Sequence, residues 1–407
     1  MASPTGFAAD DFPVLGERCY WNHAAVAPLP RACAEAMAAS AALASRECFA
    51  DSDRYRLVER MRASAARLIG APSPNDVAIV PNTSTGLSVV ARGLALGPGH
   101  RVVITGAEYP ANRYCWTDLR TDGVDVVEVP EEPDLRIDTG RLVEAITPGT
   151  SVVALSHVQF ASGFRADLPA VVEAAHRFGA VVCVDAIQSV GVIPIDVVEL
   201  GIDFLVADGH KWMLGPEGVG ILYAKPELAS TMRPPVLGWM SVVRPTDYDA
   251  YRDGQWPKNA RRFEPGSWNP AGCAGLGASL ELIQAVGVDV IWSRVCELCD
   301  AAVARLEALE FACVTPRGSF GGDSGCETRG DSGGTSGGGG GIEVFDLPAG
   351  LREGFDAGKL MRRLGERNVH VSARRGRLRI SPHFYLPDAD VDRLAGSVEE
   401  VLAEVRA

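Results

Sequence analysis

Two short apolar runs, Val181-Val182-Cys183-Val184 and Phe204-Leu205-Val206-Ala207, set the frame of the chain. Neither alternates with polar residues, so each reads as a strand covered on both faces. Each passes at once into polar residues: Asp185 and Gln188 after the first, Asp208, His210 and Lys211 after the second. In open α/β sheets the ligand sits beyond the carboxyl ends of the strands, which places Lys211 at a site. Further apolar runs at 102–104 and 151–155 predict strands. Helical spacing predicts helices within the alanine-rich stretch 30–69, after Asn82-Thr83-Ser84-Thr85-Gly86, over 168–178 and around 290–298. Residues 75–81 read as a short connection. Strands and helices in alternation predict an α/β fold wound by right-handed crossovers.

At 407 residues the chain is too long for one simple core and fits a large domain with a smaller one. We expect an N-terminal segment over 1–30, a large domain over 31–285 and a C-terminal domain over 286–407. Residues 317–341 (RGSFGGDSGCETRGDSGGTSGGGGG) are Gly/Ser-rich and lack the apolar surface to order themselves, so a mobile loop between small-domain strands is expected. The formal net charge of −13 argues against nucleic acid as a partner. No apolar run approaches the ~20 residues of a membrane span and no signal segment is seen, so the expectation is a cytoplasmic protein without a membrane partner. The ten cysteines lack the spacing of a disulfide framework. Cys296 and Cys299 fall on a helical pattern without a second Cys/His pair, which favours core packing over a zinc site; no metal is expected.

A lysine beside one strand end with an aspartate at another is the pair that pyridoxal phosphate requires. The lysine amine forms a Schiff base with the cofactor aldehyde, and the carboxylate keeps the pyridine nitrogen protonated so that the ring accepts electrons. Either residue alone would be an ordinary strand-end charge. Their surroundings, V-D-A-x-Q-S-V-G from Val184 and D-G-H-K-W-x-x-G-P-x-G-x-G from Asp208, resemble the class V aminotransferase superfamily, which includes cysteine desulfurases, selenocysteine lyases, kynureninases and isopenicillin N epimerases. The resemblance extends over most of the chain. It implies pyridoxal-phosphate-dependent transferase fold type I, with a mostly parallel seven-stranded sheet in the large domain and a smaller α+β C-terminal domain. It also implies Lys211 as the Schiff-base lysine, Asp185 on the pyridine nitrogen, Gln188 on the phenolic oxygen and His210 before the lysine.

The hydroxyl-rich turn before the helix at residue 85 would by itself be an N-cap. Helix starts also bind phosphate, and the family places its phosphate cup there, so Thr83 and Ser84 are assigned to the cofactor phosphate. Tyr109 falls where desulfurases carry a histidine and kynureninases an aromatic; it is expected to stack on the cofactor ring. Phe160 falls where desulfurases have asparagine and many transaminases serine, polar neighbours of the cofactor oxygen; here too the chain sides with kynureninases, and the resemblance places Phe160 against the cofactor. Asp208 replaces the serine or threonine that reaches the phosphate in many relatives; its charge would repel that group, so it is expected to turn away or to bind Arg or backbone N–H groups, and to leave His210 as the phosphate donor.

By the same resemblance, Asn22, His23 and Ala24 to Ala27 belong to a substrate-lining segment, and Ser267 donates to the phosphate of a partner subunit, which predicts a homodimer with a shared site. Arg379, in R-x-S-x-x-x-Y, would grip the α-carboxylate of an amino acid substrate with two prongs. Desulfurases carry a cysteine on a mobile loop shortly before that arginine. Here the stretch is Ser372-Ala373-Arg374-Arg375-Gly376-Arg377-Leu378, without one. The favoured activity is therefore carbon–sulfur β-elimination on cysteine or a cysteine S-conjugate. A class V aminotransferase or an epimerase-type racemase shares every residue named, and a non-catalytic cofactor-binding protein would predict loss of Lys211, Asp185 or Arg379.

Overall fold

The computed structural model describes residues 9–46, 53–249, 252–316 and 339–406. The Gly/Ser-rich segment expected to form a mobile loop lies outside the described residues, apart from 339–341. A short strand β1 (Cys19–Tyr20) and helices α1 (Arg31–Ala44) and α2 (Asp53–Leu68) precede the central sheet. The sheet comprises β2 (Val77–Val80), β3 (Arg101–Thr105), β4 (Asp125–Val129), β5 (Thr150–Ser156), β6 (Val181–Asp185), β7 (Phe204–Asp208) and β8 (Gly220–Ala224). Helices α3 (Thr83–Gly93), α4 (Pro110–Thr117), α5 (Thr139–Ala145) and α6 (Leu168–Arg177) alternate with these strands.

The strand order is β2-β8-β7-β6-β5-β3-β4, and only β8 runs against its neighbours. The mostly parallel seven-stranded α/β sheet is as expected. The strand β2 is a correction: residues read as a connection pair with β8 along their whole length, Val77 with Tyr223 through Val80 with Gly220. Four residues between a proline-started turn and Pro81 are too few to show a period.

Side chains of successive strand residues point to opposite faces. Val182, Val184, Leu205 and Ala207 pack on one side of the sheet, and Cys183, Phe204 and Val206 on the other. This alternation explains why the runs are apolar throughout: both faces are covered. Each Val, Leu or Phe so buried contributes about 1.5–3 kcal/mol, enough for the sheet to act as a rigid platform.

After α7 (Pro226–Thr231), α8 (Pro270–Val286) and α9 (Val288–Glu307), the chain builds a second sheet from β9 (Ala312–Cys313), β10 (Glu343–Asp346), β12 (Ser372–Arg374) and β13 (Arg377–Ile380). All its pairings are antiparallel, in the order β12-β13-β10-β9. Helices α10 (Ala357–Glu366) and α11 (Ala389–Arg406) and the short strand β11 (Val369–His370) complete this part. Cys296 and Cys299 are buried on α9. Among the described residues no single helix is long and apolar enough to cross a membrane.

The N-terminal segment is fastened to this C-terminal part. Strand β1 pairs in parallel with β11, Ser381 N–H donates to Trp21 O at 2.8 Å, and His23 N–H donates to Ser381 O at 3.1 Å. Phe12, Cys19 and Trp21 share a core with Leu378, Ile380 and Phe384. Residues 19–23 and the segment 369–381 are thereby held together.

Candidate active site

The ends of β6 and β7, the start of α3, residues 24–26 and the β12–β13 hairpin converge on a cavity of about 370 Å³. Lys211, Asp185, Gln188, His210, Thr83, Ser84, Tyr109, Phe160, Ala24 and Arg379 line it. Asn22, His23 and Ser267 do not.

Lys211 stands just past β7 and is only 9% exposed. Burial holds its ammonium below the ordinary lysine range, against the pull of Asp185, and the Arg379 charge adds to the lowering. Burial likewise raises the Asp185 carboxyl; the Ile187 N–H, 3.1 Å from Oδ1, opposes this, and Glu108 reinforces it. Both shifts have one cause, the scarcity of water around either charge. A buried carboxyl of this kind fits a protonated ring nitrogen as its partner, and a lysine held partly neutral fits an aldehyde.

The Gln188 amide has its orientation fixed. Trp212 Nε1–H donates to Gln188 Oε1 at 2.9 Å, so the NH₂ end points the other way and donates to Ala24 O at 3.0 Å. An amide has two N–H groups, and the second remains for an oxygen in the cavity.

At the start of α3 the N-cap is Asn82, whose Oδ1 accepts from Thr85 N–H at 2.8 Å. Thr83 and Ser84 are therefore in the first turn, where backbone N–H groups lack intrahelical partners and suit an anion. Thr83 Oγ1 accepts from Asp208 N–H at 3.1 Å, which leaves its own proton to donate. Gly86 lets the helix come this close: a Cβ there would stand 2.4 Å from Val206 Cγ1.

Asp208 lies on the cavity wall, and its carboxylate is engaged within the chain. Oδ1 accepts from Gly209 N–H at 2.7 Å, and Oδ2 stands 3.0 Å from His210 Nδ1. The latter contact has ion-pair distance without hydrogen-bond alignment. Tyr109, at the N-cap of α4 and 47% exposed, faces the cavity with Lys211 Nζ 5.8 Å from its ring centroid. Phe160 meets the Tyr109 ring edge-on at 5.0 Å.

Arg379 is 1% exposed and held at three points. Nε donates to Ser372 Oγ at 2.9 Å, Nη1 to Phe160 O at 2.7 Å, and Nη2 to Asn22 Oδ1 at 3.4 Å. A guanidinium has five N–H groups; three anchors leave two, one on each terminal nitrogen, for a carboxylate. Asn22 and the Phe160 carbonyl thus act through Arg379. Burial and the neighbouring Arg374 charge push Arg379 below its ordinary pKa.

His23 is corrected from substrate contact to core residue. It is fully buried; Nδ1 donates to Ser381 O at 2.9 Å, so Nε2 must accept from the Tyr385 hydroxyl at 2.6 Å. Ser267 is exposed and outside this chain's cavity. Reasoning from sequence missed Asn82, Ala111, Ile187 and Arg374 among the lining residues. Asn82 carried a signal, since it precedes a helical pattern. Arg374 carried none beyond its place in the stretch before Arg379. The hairpin there is closed by two residues, Arg375 and Gly376, with φ of 49° and 79°, the left-handed pair of a tight type I′ turn. No cysteine lines the cavity among the described residues.

The family model for aminotransferase class-V matches residues 19–318. A probable cysteine desulfurase of Methanothermobacter thermautotrophicus is 32% identical over 312 residues, 74% of this chain and 76% of that one. Cysteine desulfurase CsdA of Escherichia coli is 33% identical over 316 residues, 74% of this chain and 77% of its own. Among solved structures, the apo cysteine desulfurase of Thermococcus onnurineus superposes with a TM-score of 0.85 at 25% identity, over 99% of both chains. The cystine C-S lyase C-DES, solved with cysteine persulfide as its reaction product, gives 0.81 at 22% identity over 95% of this chain and 98% of its own; that likeness is one of fold.

Proposed function

The chain belongs to the aminotransferase class-V family of pyridoxal-phosphate enzymes, and on that premise we propose that it catalyses carbon–sulfur β-elimination on cysteine or a cysteine S-conjugate. The observation that carries this reading is the two-residue turn Arg375-Gly376 at the place where a sulfur-accepting cysteine would need a loop. An amino acid is gripped and deprotonated by this cavity, and no thiol from the cavity's described lining is at hand to attack its sulfur.

The donor set fits the cofactor. Lys211 would hold its aldehyde carbon, Asp185 its ring nitrogen, Gln188 its phenolic oxygen, Tyr109 one ring face, and Thr83, Ser84 and the start of α3 its phosphate. His210, whose Nδ1 stands 3.0 Å from Asp208 Oδ2, would donate to that phosphate. When bound, the cofactor accepts the electron pair left at Cα. Arg379 binds the α-carboxylate through its two remaining N–H groups and so sets which Cα bond stands across the ring. Lys211 Nζ, partly neutral through burial, takes the Cα proton. The Cα electron pair would then form the Cα=Cβ bond as the Cβ–S pair leaves on sulfur, which takes up a proton, and water would hydrolyse the released enamine to pyruvate and ammonium.

Incubation of the purified holoenzyme with cysteine and S-substituted cysteines, with and without a keto acid, tests this. Equal amounts of pyruvate, ammonium and released sulfur, as sulfide from cysteine or as the thiol from an S-substituted cysteine, support elimination. Amino transfer dependent on the keto acid, α-deuterium exchange without net product, or a persulfide on any cysteine of the protein would overturn it.

The same reading includes a homodimer in which Ser267 reaches the partner's phosphate. Ser267 is exposed beside a segment that presents Val236, Leu237, Trp239 and Tyr248 to solvent, and Met240 N–H donates to Pro265 O at 3.3 Å, which ties the two stretches together. Full turnover by a species that sediments as a monomer would contradict it.

A further inference from the structure

Arg374 lines the cavity, yet no step of the proposed reaction uses it. Strand β12 places it two residues beyond Ser372, on the same face of the hairpin. The register sets Ser372 opposite Arg379 and Arg374 opposite Arg377. The Arg379 and Arg374 rungs therefore stand about 7 Å apart along the strand. Of the other arginines of the hairpin, Arg377 is neutralised by Asp346 at 2.8 Å and Arg375 by Glu131 at 2.5 Å, whereas Arg379 is held by neutral acceptors alone. Arg374 donates to the neutral Ala373 carbonyl at 2.9 Å, and among the described residues no carboxylate pairs with it. The acids of the cavity are committed elsewhere, Asp185 beside Lys211 and Asp208 to Gly209 and His210. The result is a half-buried cation that faces the substrate space with its charge unbalanced.

We propose that Arg374 selects amino acids whose side chain ends in a carboxylate. With the α-carboxylate on Arg379, the second carboxylate reaches Arg374 one rung along the hairpin. A linker of Cβ, sulfur and one methylene, as in S-carboxymethylcysteine, spans such a gap. The reaction performed on this substrate rests on the elimination reading above; the selection does not.

The test is a spectral titration of the holoenzyme with S-carboxymethylcysteine and its neutral isostere S-carbamoylmethylcysteine, with pyruvate assayed in the same samples. The cofactor absorbance reports displacement of Lys211 by the substrate amine whatever reaction follows. The wild type binds the acid about 10-fold or more tighter than the amide, the worth of one charge-assisted hydrogen-bonded pair. Arg374→Gln brings the two within about 3-fold, and Arg374→Lys, which keeps the charge without the fork, restores part of the difference. Equal binding of the pair by the wild type, or a preference that survives Arg374→Gln, overturns the inference. A preference without pyruvate keeps the role of Arg374 and overturns the elimination reading; pyruvate without a preference does the reverse.

Discussion

Replacement of Arg379 by lysine separates a carboxylate clamp from a mere buried charge. The guanidinium spends three N–H groups on Ser372, Phe160 and Asn22 and has two uncommitted, which the clamp reading gives to substrate. A lysine ammonium has three N–H groups radiating from one point, so it can satisfy the Phe160 carbonyl or present one prong, but not reproduce the fork. Loss of one hydrogen bond to a charged group is worth about 1.5–3 kcal/mol, or about 10–100-fold in kcat/KM. The assay compares a cysteine S-conjugate with its α-carboxamide in both enzymes, with the cofactor absorbance and thermal melt as controls. For the wild type the acid is strongly preferred; for Arg379→Lys the loss falls on the acid and the preference narrows. Equal losses for acid and amide, or a loss under about 3-fold for the acid, would refute the clamp.

Ser372→Ala removes the acceptor of Arg379 Nε, a hydrogen bond to a charged group worth about 1.5–3 kcal/mol, so kcat/KM falls about 10-fold or more while the cofactor absorbance is retained. Gly86→Val drives a side chain into Val206 and costs about 1–3 kcal/mol by overpacking, read as a lower melting temperature together with weaker cofactor retention. Buried histidines predict an acid limb of instability. Burial pushes His383 down to about 4 and His157 to about 3, so below the ordinary value of 6.5 the unfolded chain binds protons that the folded chain refuses. Stability then falls as pH drops from 6.5 toward 4, by ~3 kcal/mol for His383. Thermal melts across this range check it, and His383→Gln should show a shallower slope than the wild type.

How far the site was legible follows from the range over which each interaction acts. Strands β6 and β7 declared themselves because both faces are covered, and the polar residues after them are local, so Asp185, Gln188 and Lys211 could be found from adjacent sequence. The start of α3 was legible for the same reason. Strand β2 was not, because its four residues gain strand character only from pairing with β8, far along the chain. The part played by Asn22 depends on a contact with Arg379 across the length of the chain, carried by the β1–β11 pairing that no local pattern encodes. His23 illustrates the converse. A histidine beside a substrate-lining segment looks like a contact until its two nitrogens are found bonded to Ser381 and Tyr385 inside the core.

The account depends on cofactor attachment at Lys211, and chemical trapping tests that directly. The holoenzyme is reduced with borohydride, digested and mapped by mass spectrometry, with Lys211→Ala treated in parallel. The expected result is a pyridoxyl group on Lys211 in the wild type, with no such adduct and no turnover in the variant. An adduct on another lysine, or full turnover by Lys211→Ala, would contradict it.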